Sequence, residues 1–528
     1  MWNREWRDRV WADLDQQWDL IVIGGGITGA GVLRHAVAAG LKTLLVEAGD
    51  FSSGTSSRSS KLIHGGLRYI LNRQFGVTKE SARERERLMK DVPYGIVRLP
   101  FLFANFDRYG ASNRAIGTLI ALYDLLAIKW DHHSYPIKKI NQEWPHLSTK
   151  GLLGGCLYYD AVMDDCRIVL RVIREAVRAG GTALNYARAE SLLKANNGRV
   201  CGVALRDLAS ATGRTAEVKA HAVVNAAGPW VDSLRSQVGG QPRLRPLRGS
   251  HLVFPSEKLP ARTALTLLHP TDKRAMFVIP WEGVTIVGTT DIDHDPALDS
   301  RYSEPFAAKD EIDYVMEAVD VLFPGLGLKQ SDLISTFSGL RPVVRGEAGS
   351  PSGESRAHAL WEESGLFTIT GGKYTTFRLM SRQTVERVLL SLGRPRRIDL
   401  KRVLEPPPAT GLPDMEPSRL HYLLGRHGSE TADLIGAAGQ DELENIEGLP
   451  DVWAELRWAA RNEGVVHLDD LLLRRVRIGM SLPDGAMGCM DRIRSIVQPE
   501  LGWDDGRWQR ELDLYRDTWK KYYSPTPG

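Results

Sequence analysis

The chain has 528 residues, 43% hydrophobic and 25% charged, with a formal net charge of +3. This is an ordinary globular composition with room for about two to four domains, and its near-neutral balance gives no global field for nucleic acid. Its four cysteines (Cys156, Cys166, Cys201, Cys489) include no Cys-x-x-Cys pair and give no sign of a disulfide framework or a metal site, and no run of about 18 uncharged apolar residues announces a transmembrane helix.

Residues 2–18 read as an amphipathic helix, because Trp2, Trp6, Val10, Leu14 and Trp18 recur every four positions. The segment is charged and lacks the apolar core of a signal peptide. It suits either packing on the body or contact with a membrane surface. Leu20–Ile23 is then a short buried strand, a helix follows over 30–39, and Lys42–Val46 is a second strand ending at Glu47. Gly24, Gly26 and Gly29 stand in G-x-G-x-x-G spacing between strand and helix. That order is a dinucleotide-binding βαβ unit. Gly24, Gly25, Gly26, Ile27, Thr28 and Gly29 are expected at a pyrophosphate, on the free N–H groups of the helix start. Glu47, with Ala48 beside it, is expected to accept from a ribose diol, which argues against a 2′-phosphate. The turn alone does not separate FAD from NAD(P).

Residues 51–69 begin small and hydroxylated and end in Ser60-Lys-Leu-Ile-His-Gly-Gly-Leu-Arg-Tyr69. Together with Thr55-Ser-Ser and the opening turn, these words resemble the FAD-dependent glycerol-3-phosphate dehydrogenase family. The likeness is to its aerobic bacterial, quinone-linked type, in the D-amino-acid-oxidase-like flavoprotein group. The resemblance covers roughly residues 18–480. It implies non-covalent FAD, with Thr55, Ser56, Ser57, Ser60, Lys61, His64, Gly65 and Gly66 in its binding loop.

Residues 78–98 carry opposite charges three and four apart, the mark of a solvated helix face. Residues 114–130 form the most apolar stretch; core helix is the default there, and shallow membrane insertion the alternative. Further on, Leu157–Asp160 is strand-like, Asp164 and Asp165 cap a helix over 167–179, and 200–205 and 216–224 are strands. The last runs into Ala-Ala-Gly228, where glycine allows close approach to a cofactor. His251 heads an alternating strand, 274–281 and 284–291 form a hairpin, and 309–322 is a helix. Ser338-Gly-Leu-Arg-Pro342 follows a strand around 333–337. A strand from Leu366 ends in Gly371-Gly372-Lys373, and a helix starts at Thr375 or Thr376, repeating the physics of the opening turn. The resembled family usually has leucine and tyrosine where Tyr374 and Phe377 stand. A proline-rich linker at 406–413 leads to helices over 419–426, 430–436, 451–462, 469–479 and 507–522. Arg474 and Arg475 read first as a solvated face, with a subunit contact or a membrane-facing patch as the alternatives.

The expected fold is α/β: a split FAD-binding Rossmann-like domain (19–95, 151–240, 336–395), an antiparallel-sheet substrate domain (96–150, 241–335), and a C-terminal helical domain (405–528), behind an N-terminal extension (1–18). The implied reaction oxidises sn-glycerol 3-phosphate to dihydroxyacetone phosphate by hydride transfer from C2 to FAD. His251 is the expected base and Arg341 stabilises the developing charge. Arg68, Tyr69, Arg356 and Lys373 hold the phosphate, and Lys373, Gly371, Gly372, Thr375 and Gly228 also border the cofactor. Implied partners are membrane quinone and the membrane surface, at the cytoplasmic face of the inner membrane, with a homodimer possible and no metal. The alternatives are an oxidase that releases peroxide, or a non-catalytic flavin-binding scaffold.

Overall fold

A computed structural model describes residues 2–66, 70, 75–127, 130–210, 213–295, 304–346, 357–408 and 410–526. Its first sheet orders the strands His358–Glu363, Leu366–Gly371, Thr215–Asn225, Trp18–Ile23, Thr43–Val46 and Thr182–Leu184. Along this row all neighbours but the outermost pair, His358–Glu363 on Leu366–Gly371, are parallel; off it, Val200–Asp207 pairs antiparallel with both Thr215–Asn225 and Ala187–Lys194. Leu20, Ile21, Val22, Leu44, Leu45 and Val46 are fully buried, as continuous apolar runs in a parallel sheet should be. Ile23 pairs with both Val46 and Asn225, and Asn225 with Thr368. This register brings Gly24, Glu47, Ala226 and Gly371 to one edge, the carboxyl ends of the strands, where such sheets bind ligands.

The second sheet has ten strands, centred on Leu244–Pro255 and its neighbours Val284–Gly288 and Ser335–Val344. It is antiparallel except where Ala264–Leu268 runs beside Ile96–Phe106. Leu152–Met163 and Ser335–Val344 hydrogen-bond within this sheet, so both strands leave the cofactor part to which residues 151–240 and 336–395 were assigned. The expected hairpin closes at Trp281 and Val284. His251 lies inside the strand Leu244–Pro255 rather than at its head, because the ladder with Ser335–Val344 begins at Leu244.

Other expectations change. The N-terminal helix is only Trp6–Ala12. Trp2, Trp6, Trp11, Leu14 and Trp18 are buried, so these tryptophans pack on the body and do not face a membrane. The charged helix runs Phe75–Asp91 and gives way to a strand at Ile96. Its charges are not all solvated: Glu84 holds Arg378 at 2.6 Å, and Arg85 holds Asp160 at 2.5 Å. Arg474 and Arg475 are buried against Asp50 at 2.6 and 2.5 Å. The helical region breaks at Val476 into Leu471–Arg475, a π-helical turn, and Ile478–Ser481. It also contains an unexpected helix, Met490–Leu501, whose pattern is interrupted by Pro499. The helices share one apolar core with the second sheet, as where Trp453 and Leu472 cluster with Ile286 and Phe337. The helix Asp165–Arg178 starts as expected, with the Asp164 carboxylate accepting from Cys166 and Arg167 N–H.

Candidate active site

One cavity of about 1250 Å³ lies where the two sheets and the C-terminal helices meet. Its floor is the opening glycine turn. Gly24 has φ +113°, and a Cβ there would stand 2.5 Å from the Ala226 carbonyl oxygen. A Cβ at Gly29 would overlap the Gly24 carbonyl oxygen, so strand and helix can close up only with glycine at both positions. Gly24, Gly26, Ile27 and Thr28 line the cavity. Gly25 and Gly29 do not: Gly25 donates its N–H to the Glu47 carboxylate at 2.6 Å, and Gly29 packs on Gly24. Glu47 also accepts from Gly49 N–H at 2.8 Å. It lines the cavity beside Ala48, and burial raises its carboxyl above the ordinary range despite those donors.

The serine-rich loop divides between the cavity and its support. Thr55, Ser56, Ser60, His64 and Gly66 line the cavity. The Thr55 hydroxyl donates to the Leu340 carbonyl at 2.6 Å, and Ser56 Oγ accepts from Ile27 N–H at 2.9 Å. Ser57, Lys61 and Gly65 point elsewhere. Lys61 is fully buried, its Nζ donating to the Ser57 carbonyl at 2.7 Å and to Asp165 at 2.9 Å. Burial and neighbouring Arg477 lower its ammonium to about 8. Gly65 N–H donates to Tyr123 and Asp160, 3.0 and 3.1 Å away. The words around these three residues are contiguous in sequence, but alternation of direction along the loop turns them into the wall.

Gly228, Gly371, Gly372, Lys373 and Thr375 border the cavity. Gly371 and Gly372 take φ of +74° and +67°, and the Thr375 hydroxyl donates to the His64 carbonyl at 3.2 Å, tying the two glycine-bearing loops together. His251 and Arg341 form the far wall. Leu247 pairs with Arg341 and His251 with Phe337 on adjacent strands. The Arg341 guanidinium lies over Gly249, where any Cβ would collide with it. Gly249 and His251 are two apart and share a sheet face. Arg341 donates to the Asp291 carboxylate at 2.8 Å and the Thr290 carbonyl and Thr289 hydroxyl at 3.1 Å. Residues 289–291 thus hold the Arg341 side chain in place. His251 is buried and stacked on Phe337 at 4.6 Å. Desolvation, then Arg341 and Lys61, push its imidazolium well below 6.5, so it is neutral. Arg68, Tyr69 and Arg356 lie outside the described residues.

Residues not foreseen also face the cavity: Arg274, whose Nη1 donates to the Asp291 carbonyl at 2.9 Å, and His467, Asp469 and Arg474 from the C-terminal helices. None carried a local signal, since each reaches the cavity only through tertiary packing.

Comparison with known proteins decides the family. Residues 19–385 match the FAD dependent oxidoreductase model, and residues 367–508 that of the C-terminal domain of alpha-glycerophosphate oxidase. "Glycerol-3-phosphate dehydrogenase 2" of Mycobacterium tuberculosis is 36% identical over 526 residues, covering 95% of this chain and 88% of that protein. The chain belongs to the FAD-dependent glycerol-3-phosphate dehydrogenase family. The "Aerobic glycerol-3-phosphate dehydrogenase" of Staphylococcus saprophyticus is 32% identical, with 97% and 96% coverage. The crystal structure of glycerol-3-phosphate dehydrogenase from Bacillus halodurans, complexed with FAD, superposes with a TM-score of 0.79 at 28% identity. It covers 100% of this chain and 99% of that one.

FAD is therefore the cofactor, and the cavity fits it. Two glycine turns, at Gly24–Gly29 and Gly371–Gly372, exclude side chains where a backbone must approach a flat or phosphorylated group closely. The Glu47 carboxylate at the strand end and the helix Ile27–Ala38 complete a dinucleotide-binding strand–turn–helix–strand arrangement.

Proposed function

We propose that the protein oxidises sn-glycerol 3-phosphate at C2 to dihydroxyacetone phosphate and passes the electrons to membrane quinone at the cytoplasmic face of the inner membrane. The names of its relatives support the substrate. The observation that carries the reading is the convergence of neutral His251 and Arg341 on one wall of the FAD cavity. Bound FAD supplies the acceptor for the C2 hydride. His251 takes the C2 hydroxyl proton as that hydride leaves, so the alcohol loses two electrons and two hydrogens and becomes a ketone. Arg341, held at three points by residues 289–291, stabilises the negative charge that develops on the oxygen. Lys373, with Arg68, Tyr69 and Arg356, binds the phosphate; Gly24, Gly26, Ile27 and Thr28 hold the pyrophosphate. The test is anaerobic: glycerol 3-phosphate should bleach the flavin absorbance of the purified holoenzyme, and an unchanged spectrum with FAD fully bound would reject the substrate.

The acceptor has a second reading. The match of residues 367–508 to an oxidase domain favours oxygen, with peroxide as product. Peroxide yield measured against quinone reduction separates the two. Membrane docking is supported by exposed Leu125 and Trp130, 64% and 67% accessible. Among the described residues no helix is long and apolar enough to cross a membrane. Replacing both residues by serine should release the protein from lipid vesicles in flotation, and retention would move the contact elsewhere.

A further inference from the structure

The serine-rich loop is braced at one point. The Asp165 carboxylate accepts from Ser59 N–H at 3.0 Å, the Ser59 hydroxyl at 2.7 Å and Lys61 Nζ at 2.9 Å. It is itself held by Arg477 at 3.0 Å. The residues on either side of Ser60 are thus tied to one buried anion. Between them, Ser60 presents its hydroxyl to His251, Oγ to Nε2 at 2.7 Å. The rest of the ring is clamped. One face stacks on Phe337, interplanar angle 8°, with Lys61 Nζ 4.7 Å from the same phenyl ring. The Cδ2 edge abuts Gly288, where a Cβ would overlap it. His251 Nδ1 is buried and has no hydrogen-bond partner among the described residues.

We propose that Ser60 is a positioning residue for His251: its hydroxyl, 2.7 Å from Nε2 where both residues border the cavity, holds the ring in the orientation from which it takes the substrate's hydroxyl proton. The inference rests on His251 being the base. Once the ring is protonated, its Nε2–H bond to Ser60 becomes charge-assisted and stronger, so the brace favours the state that follows proton transfer. Both charged groups acting on the ring, Arg341 and Lys61, are cations. The serine is therefore the polar contact that opposes them.

The experiment follows anaerobic flavin reduction by glycerol 3-phosphate from pH 5.5 to 9 in holoenzyme variants. Ser60→Ala should keep wild-type FAD content and reduce its flavin about tenfold or more slowly, with its pH profile displaced; Ser60→Thr, which keeps the hydroxyl, should recover most of the rate. An unchanged rate and profile in Ser60→Ala overturns the assignment. So does loss of FAD with an undiminished rate per bound flavin, which would make Ser60 a cofactor contact only. If Ser60→Ala does not fold, Ser60→Cys, nearly the same size and a poor acceptor, is read in the same way. His251→Ala separates the two levels. If it retains the wild-type rate, the base itself is misassigned; if it is crippled while Ser60→Ala is unaffected, only the serine's role falls.

Discussion

His251 is buried between two cations and an aromatic ring, and that environment, not its sequence neighbours, sets its chemistry. With its imidazolium held well below 6.5, the residue keeps its lone pair across neutral pH. Flavin reduction should therefore show no acid limb at the ordinary histidine value, only one well below it; a limb at or above 6.5 in a rapid-mixing pH series would contradict this. His251→Ala should slow reduction by about 10²–10⁴-fold while leaving FAD content intact. Arg341→Lys should lose about 2–4 kcal/mol of transition-state stabilisation, because one ammonium cannot span Asp291, Thr290 and Thr289 as the guanidinium fork does; a wild-type kcat/KM would place Arg341 away from the reacting oxygen. The resemblance pointed to His251 and Arg341, and both line the cavity. The Ser60 contact to His251 was not legible in sequence, because it joins residues 191 apart, and Asp165 read only as a helix cap.

At the scale of elements, periodicity located strands and helices but not always the face each one buries. The helix Phe75–Asp91 alternates charge as a solvated helix does, yet Glu84 and Arg85 are buried against Arg378 and Asp160. A charge pattern records which residues are ionic; it does not show where their partners lie. The opening turn was the opposite case. Gly24 and Gly29 are required by their contact with each other and by the adjoining strand end at Ala226, while Gly26 faces only the Ser56 side chain, so local spacing was enough to read the turn. Gly29→Ala forces the helix Ile27–Ala38 away from Gly24. The purified variant should come off the column colourless, and a wild-type flavin-to-protein ratio would show that the turn tolerates the shift.

Across the whole molecule, the nucleotide-binding half and the C-terminal helices are joined by buried ion pairs. Asp50 meets Arg474 and Arg475, Asp164 meets Arg426 at 2.8 Å, and Glu463 meets Arg167 at 2.7 Å. Neither half could show this alone, which is why the Arg474-Arg475 pair looked like surface. Asp50→Asn leaves two guanidinium groups without their anion and should cost about 3–5 kcal/mol in chemical denaturation; a change under about 1 kcal/mol would mean that the seam is wet. The flanking arginines hold both Asp50 and Glu463 down to about 2. Because these folded values lie below the unfolded ones near 4, their contribution is complete above pH 4 to 5 and is lost as pH falls towards 2. The melting temperature should drop through that window, and Asp50→Asn should flatten the drop.

The N-terminal strap spans the same seam. Trp2 bridges to Glu463 and stacks on Phe51 at 5.0 Å, Trp6 packs against Gly464, and Arg7 pairs with Asp207 at 2.5 Å. During synthesis these tryptophans emerge long before the residues that seat them, part of that seat being made more than 450 residues later. Until then they are exposed apolar surface on a growing chain, and their capture is a late, long-range closure.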